Sequence, residues 1–314
     1  MSCPDCFSGH IHEGTPKGSV TTLHGLNVYV AEPSGDPAHE IKGIVVIIPD
    51  AFGWDFVNNR LLADNYAEKG KYKLYTIEKT NITLWLLAGT AAPVWALDSI
   101  KAIMKTGSLY DWIIKPQAHP PSSFSHPTPP QKKNRKRLLT QLYSYHIAWA
   151  MYGMIPFIIH NRPGKSYPLV KSFFEALRRN EGARLPIGAA GFCWGGKHTV
   201  LLARGAEING ESLINAGFTG HPSFLDIPGD IEKLKLPVSF ALGELDSNIR
   251  MPQIQQIQQI MESKEGEVKV YVGAGHGFCV RADMAADNVE RQAVESEDQA
   301  VDFFNRYLTR VSFD

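Results

Sequence analysis

The run Ile41-Lys42-Gly43-Ile44-Val45-Val46-Ile47-Ile48-Pro49 constrains the fold more than any other stretch of the chain. A strand with one wet face alternates apolar and polar residues. A near-continuous β-branched run belongs to a strand covered on both faces, as in the parallel sheets of α/β proteins. The run closes at Pro49 and opens into Asp50-Ala51-Phe52-Gly53-Trp54, followed by Val57 to Glu68, where Leu61, Leu62 and Tyr66 fit a helix. Strand, short loop and helix form the unit that leaves functional loops at the carboxyl ends of strands.

The unit recurs along the chain. Lys71 to Thr76 reads as a strand, and Ile187 to Phe192 as another that feeds a helix through His198 to Arg204. Ser212 to Ala216, Leu236 to Leu242 and Val268 to Val272 read as further strands. Pro252 to Ser263 sets Ile254, Ile257 and Ile260 on one helix face, and Val301, Phe304 and Leu308 mark a closing helix. Val20 to Pro33 alternates like an early strand or hairpin, and Pro168 to Asn180 is an amphipathic helix with proline near its start. These elements predict an α/β fold, a mostly parallel central sheet with helices on both faces. A 314-residue chain with 44% hydrophobic residues can bury such a core as one domain.

Two segments stand apart from that pattern. Residues 1–16 are expected to be a flexible N-terminal segment. Cys3 and Cys6 form a C-x-x-C there, but no second Cys or His pair at zinc spacing accompanies it, so no metal is expected. The remainder, 17–314, is expected to be the α/β domain, interrupted at about 117–144 by a disordered insertion. Gln117 to Gln131 holds five prolines and runs into Lys132-Lys133-Asn134-Arg135-Lys136-Arg137, a composition that no packed element accommodates. Thr76 to Gly89 carries mixed signals, Pro93 to Thr106 reads as helical, and Ile147 to Ile159 is an aromatic and Met-rich core or cap segment. Formal net charge is zero, so no global field favours nucleic acid or an anionic membrane. No apolar run reaches the roughly 18 residues of a membrane span, and the start lacks a secretory pattern, so a cytoplasmic protein is expected. Homo-oligomerisation is left open.

Chemistry concentrates at three strand ends. Gly191-Phe192-Cys193-Trp194-Gly195-Gly196-Lys197 has the G-x-S-x-G spacing of a nucleophile elbow, with cysteine where serine usually stands. A sharp strand-to-helix turn lifts its central side chain clear of the sheet, and a thiol needs only a modest pKa drop to become a nucleophilic thiolate. The competing account is a buried structural cysteine beside a glycine-rich turn. Asp246 follows the Leu236–Leu242 strand in Gly243-Glu244-Leu245-Asp246, and His276 follows the Val268–Val272 strand in Gly273-Ala274-Gly275-His276-Gly277-Phe278. The order nucleophile, acid, histidine is that of α/β-hydrolases. In such an arrangement His276 would lower the thiol pKa and Asp246 would hold the imidazole tautomer. Glu244 is the rival acid. Redox sensing through Cys193 or Cys279 is the rival use of the thiols.

Gly191-Phe192-Cys193-Trp194-Gly195-Gly196, Ala274-Gly275-His276-Gly277-Phe278 and Pro49-Asp50-Ala51-Phe52-Gly53 together resemble the dienelactone hydrolase family, especially its fungal members. The resemblance covers about 17–75, 90–116 and 145–311. It implies an α/β-hydrolase fold and hydrolysis of a lactone or small activated ester through an acyl-thioester, without metal or organic cofactor. It also implies an oxyanion hole from the backbone N–H groups of Trp194 and Ala51. Asp50 stands where the family has a glutamate that helps control the resting thiol. Arg281 lies one residue beyond the position of an arginine that binds substrate carboxylate. Asp50, Phe52, Trp54, Phe278 and Arg281 are the expected substrate pocket. A catalytically idle member serving as a ligand-binding or interaction module is the alternative.

Overall fold

The computed structural model describes residues 9–35, 41–78 and 161–313. The C-x-x-C, most of the ambiguous 76–89 stretch, the 93–106 helix, the 117–144 insertion with its basic tract and the 147–159 segment lie outside the described residues.

A hairpin of β1 (Ser19–Leu23) and β2 (Leu26–Ala31) precedes the β-branched strand β3 (Ile44–Ile48), helix α1 (Val57–Gly70) and β4 (Lys73–Ile77). After the undescribed stretch come α2 (Pro163–Arg179), β5 (Ile187–Phe192), α3 (Trp194–Leu202) and a small hairpin, β6 (Glu207–Ile208) with β7 (Glu211–Ser212). The chain ends with β8 (Ala216–Gly220), the short α4 (Gly229–Glu232), β9 (Val238–Gly243), α5 (Met251–Met261), β10 (Gly266–Tyr271) and α6 (Asp287–Leu308). Among the described residues eight strands form one sheet in the order β1-β2-β4-β3-β5-β8-β9-β10. The hairpin strands pair antiparallel, and every pairing from β4 to β10 is parallel.

Both faces of the sheet are covered, as the polar-free β3 requires. On one face Val46 belongs to a buried cluster to which α2, α3 and α5 contribute Phe173, Phe174, Val200, Ile254 and Ile257. Val45 and Ile47 point to the opposite face, where α1 and α6 supply Leu62, Tyr66, Phe303 and Phe304. Fully burying side chains of this size stabilises by about 1.5–3 kcal/mol each. Among the described residues no helix is long and apolar enough to cross a membrane.

Three elements differ from the sequence expectation. Helix α2 starts at Pro163, not near Pro168. Proline is favoured in the first helical position, and the Arg162 carbonyl accepts from the Lys165 and Ser166 N–H groups to close the first turn. Pro168 therefore lies inside the helix, where it forfeits one ladder hydrogen bond. The strand expected at 212–216 is divided. Glu211–Ser212 belongs to the outlying hairpin, and the sheet strand begins at Ala216. Its sequence, Ala216-Gly217-Phe218-Thr219-Gly220, has little intrinsic strand preference and is held by its two neighbours. Helix α6 extends far upstream of the marked Val301, because Ala293, Ser296 and Ala300 face the core with small side chains.

Residues 1–8 of the expected flexible segment are outside the described residues. From Gly9 onward the chain is bonded to the body: the His10 N–H donates to the Arg281 carbonyl (3.1 Å), and the His12 N–H to Asn58 Oδ1 (2.9 Å).

Candidate active site

All parallel strands deliver their carboxyl ends to one rim, where an α/β sheet places its ligands. β5 reaches that rim at Phe192, paired with Gly220 of β8, and the next residue is Cys193. Cys193 has φ 51° and ψ −112°, a left-handed conformation that costs a non-glycine residue about 1–3 kcal/mol. Surrounding bonds hold it there. The Cys193 N–H donates to the Gly220 carbonyl (3.2 Å), and its carbonyl accepts from the N–H groups of Gly196 (3.1 Å) and Ser223 (2.8 Å). The flanking glycines are required by close approach. A Cβ on Gly195 would stand 1.9 Å from the Ile48 carbonyl oxygen, and one on Gly191 2.3 Å from that of Gly195. The start of α3 is thereby pressed against the end of β3 and the Asp50–Gly53 loop. Cys193 lies at the N-terminus of α3, where the helix dipole favours a thiolate.

His276 is buried between two partners. Its Nδ1 lies 2.8 Å from Asp246 Oδ2, and its side chain is also hydrogen-bonded to Cys193. Asn248 Nδ2 comes within 3.0 Å of the same Nδ1, but it donates to Asp246 Oδ1 (3.3 Å), which also accepts from the Asn248 N–H (2.8 Å). Nδ1 therefore carries the hydrogen given to Asp246, and Nε2 is the nitrogen left for the sulfur. Glu244 is engaged elsewhere, accepting from the Gly273 N–H at 2.8 Å.

Burial alone would lower the His276 pKa. The electrostatic influence of Cys193 and the hydrogen bonds to Asp246 and Cys193 outweigh it, raising the value from 6.5 to about 10. A folded-state pKa above the unfolded one stabilises fully below the unfolded value and loses that contribution as pH rises through the folded value. Paired with a Cys193 thiolate, the proton on His276 offsets the one the sulfur has lost, so the melting temperature is expected to fall only from where an unfolded thiol ionises, about pH 8.5, to about 10, by an amount absent from His276→Gln, measured by thermal unfolding across that range. A fall of equal size in both proteins would refute the assignment.

The loop after β3 is organised by Asp50, which is fully buried. Its Oδ1 accepts from the Phe52 N–H (3.1 Å) and Asn59 Nδ2 (3.2 Å), and Oδ2 accepts from Arg281 Nη1 in a buried ion pair. The Arg281 guanidinium also lies over the Phe52 ring, 4.9 Å from its centroid. Asp50, Phe52 and Arg281 are thus brought together beside the turn that carries Ala51. Trp54 lies under the Arg60 guanidinium, which also covers Tyr29. Phe278 is buried between Tyr271, at 4.8 Å, and His221, at 6.0 Å.

Three neighbours of the site had no signal of their own. His221 and Ser223 begin the loop after β8, whose strand was expected several residues upstream. The His221 ring stands perpendicular to that of His276, with centroids 4.9 Å apart, and Ser223 Oγ is 3.4 Å from Cys193 Sγ. Asn248 is the third. Elsewhere, buried His198 stacks on Trp194 at 4.0 Å and bonds Ser166 Oγ at 2.8 Å, tying α3 to the first turn of α2. Gly164, Lys165 and Ser166 lie in that first turn. Cys279 is buried, and burial pushes its thiol well above the ordinary range, which removes it as a redox sensor.

The model of the dienelactone hydrolase family matches residues 169–308. "Hydrolase tropI" of Talaromyces stipitatus is 25% identical over 311 residues, covering 98% of this chain and 96% of that protein. "Dienlactone hydrolase 1" of Gibberella moniliformis is 22% identical over 280 residues, covering 88% and 82%. The crystal structure of a dienelactone hydrolase from Anabaena variabilis aligns with a TM-score of 0.52 and 13% identity, covering 95% of this chain and 100% of that one. The fold they share is the α/β-hydrolase fold.

Proposed function

Because residues 169–308 match the model of the dienelactone hydrolase family, we propose that the chain belongs to that family and hydrolyses a lactone or small activated ester with Cys193 as nucleophile. The observation that carries this reading is the buried His276 imidazole, bonded to Asp246 on one side and to Cys193 on the other. In the resting state the proton resides on His276 and the charge on sulfur. The thiolate attacks the acyl carbon, a C–S bond forms, and the carbonyl π pair moves onto oxygen. The N–H groups of Trp194 and Ala51 are the donors assigned to that oxyanion; removing one such donor typically costs about 3–4 kcal/mol. Collapse of the adduct breaks the C–O bond, and the leaving oxygen takes the Nε2 proton of His276. The thioester is then hydrolysed by water, whose proton returns to Nε2 while the thiolate departs. In a lactone the leaving oxygen stays tethered to the acyl group. The Arg281 guanidinium is engaged by Asp50. Asp50, Phe52, Trp54, Phe278 and Arg281 remain the residues assigned to the pocket.

The test is to trap the intermediate. Mixing the protein with a short-chain aryl ester and quenching in acid should leave one acyl group per chain, on the Cys193 peptide by mass spectrometry. Turnover with the acyl group found on another residue would overturn the nucleophile. Neither turnover nor acylation would favour a catalytically idle member.

A further inference from the structure

The loop that leaves β8 does more than connect it to α4. His221 has φ 38°, and its N–H donates to the Ala241 carbonyl at 2.9 Å, which turns the loop inward under the sheet rim. Two residues on, the Ser223 N–H holds the Cys193 carbonyl at 2.8 Å, and the Ser223 hydroxyl stands 3.4 Å from the Cys193 sulfur. Ser223 is 1% exposed, so water does not compete freely for that hydroxyl.

A thiol and a hydroxyl can each donate to the other. A thiolate has no hydrogen, so beside a thiolate the hydroxyl must be the donor. We propose that Ser223 is the hydrogen-bond donor that stabilises the ionised sulfur of Cys193, both in the resting ion pair with His276 and when sulfur departs from the thioester. The proposal rests on the Cys193 reading. Hydrogen bonding to the charged form of a group lowers its pKa, and bonds to ionised acceptors are the stronger ones.

The surrounding charges leave this role to the hydroxyl. His276 supplies the positive partner, and Asp246 lies beyond it. The Arg281 charge is paired with Asp50. His221, perpendicular to His276, is fully buried, and neither of its ring nitrogens has a partner among the described residues. Burial, His276 and Arg281 push its pKa well below the ordinary histidine value, so it stands against the imidazolium as a neutral ring. Cys279, on the loop after β10, has its thiol pushed up by burial, and His198 on α3 faces Trp194 and Ser166.

The experiment compares the full chain as wild type, Ser223→Ala, Ser223→Thr and Ser223→Cys. The rate of Cys193 alkylation by iodoacetamide is followed against pH by mass spectrometry. Ser223→Ala should move the midpoint of the profile up by about one pH unit, lowering alkylation about tenfold on the acidic side. Ser223→Thr keeps the hydroxyl and should restore the wild-type midpoint. Ser223→Cys, with a weaker donor, should move it part of the way and serves if the alanine protein does not fold. A folded Ser223→Ala or Ser223→Cys protein with the wild-type midpoint overturns the proposal. A wild-type Cys193 that alkylates with the midpoint of an ordinary thiol overturns the nucleophile reading itself, and this proposal with it.

Discussion

Cys193→Ala should lower kcat/KM for a small activated ester by about 10,000-fold or more, with little change in affinity for the intact substrate. The expectation follows from where the bond-making electrons originate. Without sulfur, His276 can only activate water directly. The proposed backbone donors at Trp194 and Ala51 would survive, because the strained turn is held by main-chain bonds and by glycine contacts that do not involve the thiol. Residual activity above the uncatalysed rate is therefore expected. A second measurement separates this from general damage. The negative sulfur is the largest influence raising the His276 pKa, so its titration should move down from about 10 in the alanine protein. Near-normal turnover in Cys193→Ala, or an unmoved His276 titration, would remove the thiolate from the mechanism.

The parts of this site that could be read from the sequence are those whose chemistry and backbone demands coincide. Gly191 and Gly195 are glycine because carbonyl oxygens of Gly195 and Ile48 occupy the space of a side chain, and that necessity is visible as spacing. Asp246 and His276 follow strands with strong apolar patterns, so their rim positions could be anticipated. The loop after β8 failed that test. Ala216-Gly217-Phe218-Thr219-Gly220 is a strand because β5 and β9 bond it on both sides, not because its residues favour extended backbone. With the strand placed several residues too early, His221 and Ser223 did not register as rim residues. Asn248 was illegible for another reason: a bond from its amide to Asp246 exists only once the turn is closed. The same applies to Arg281, whose distance in sequence from Asp50 gave no hint of their ion pair.

That ion pair supports the second large prediction. Arg281→Met should destabilise the protein by about 3–5 kcal/mol, because it strands the Asp50 carboxylate where it is fully buried. Asp50 Oδ1 would keep the Phe52 N–H and Asn59 Nδ2, but Oδ2 would lose Arg281 Nη1. For a domain of this size the shift in melting temperature is about 5–8 °C. The double variant Asp50→Leu/Arg281→Met removes both charges and should recover most of the loss, since a buried pair exchanged for apolar groups is often neutral. Activity should divide differently from stability. Asp50 closes the turn that presents the Ala51 N–H, so the double variant should fold well yet turn over esters slowly, with kcat falling more than KM rises. Thermal unfolding of the wild type, Asp50→Leu, Arg281→Met and the double variant gives the coupling energy, and kinetics at a temperature where all are folded gives the catalytic effect. If Arg281→Met melts with the wild type, Asp50 does not depend on this guanidinium. If the double variant is both stable and fully active, the β3 loop is not where the oxyanion is held.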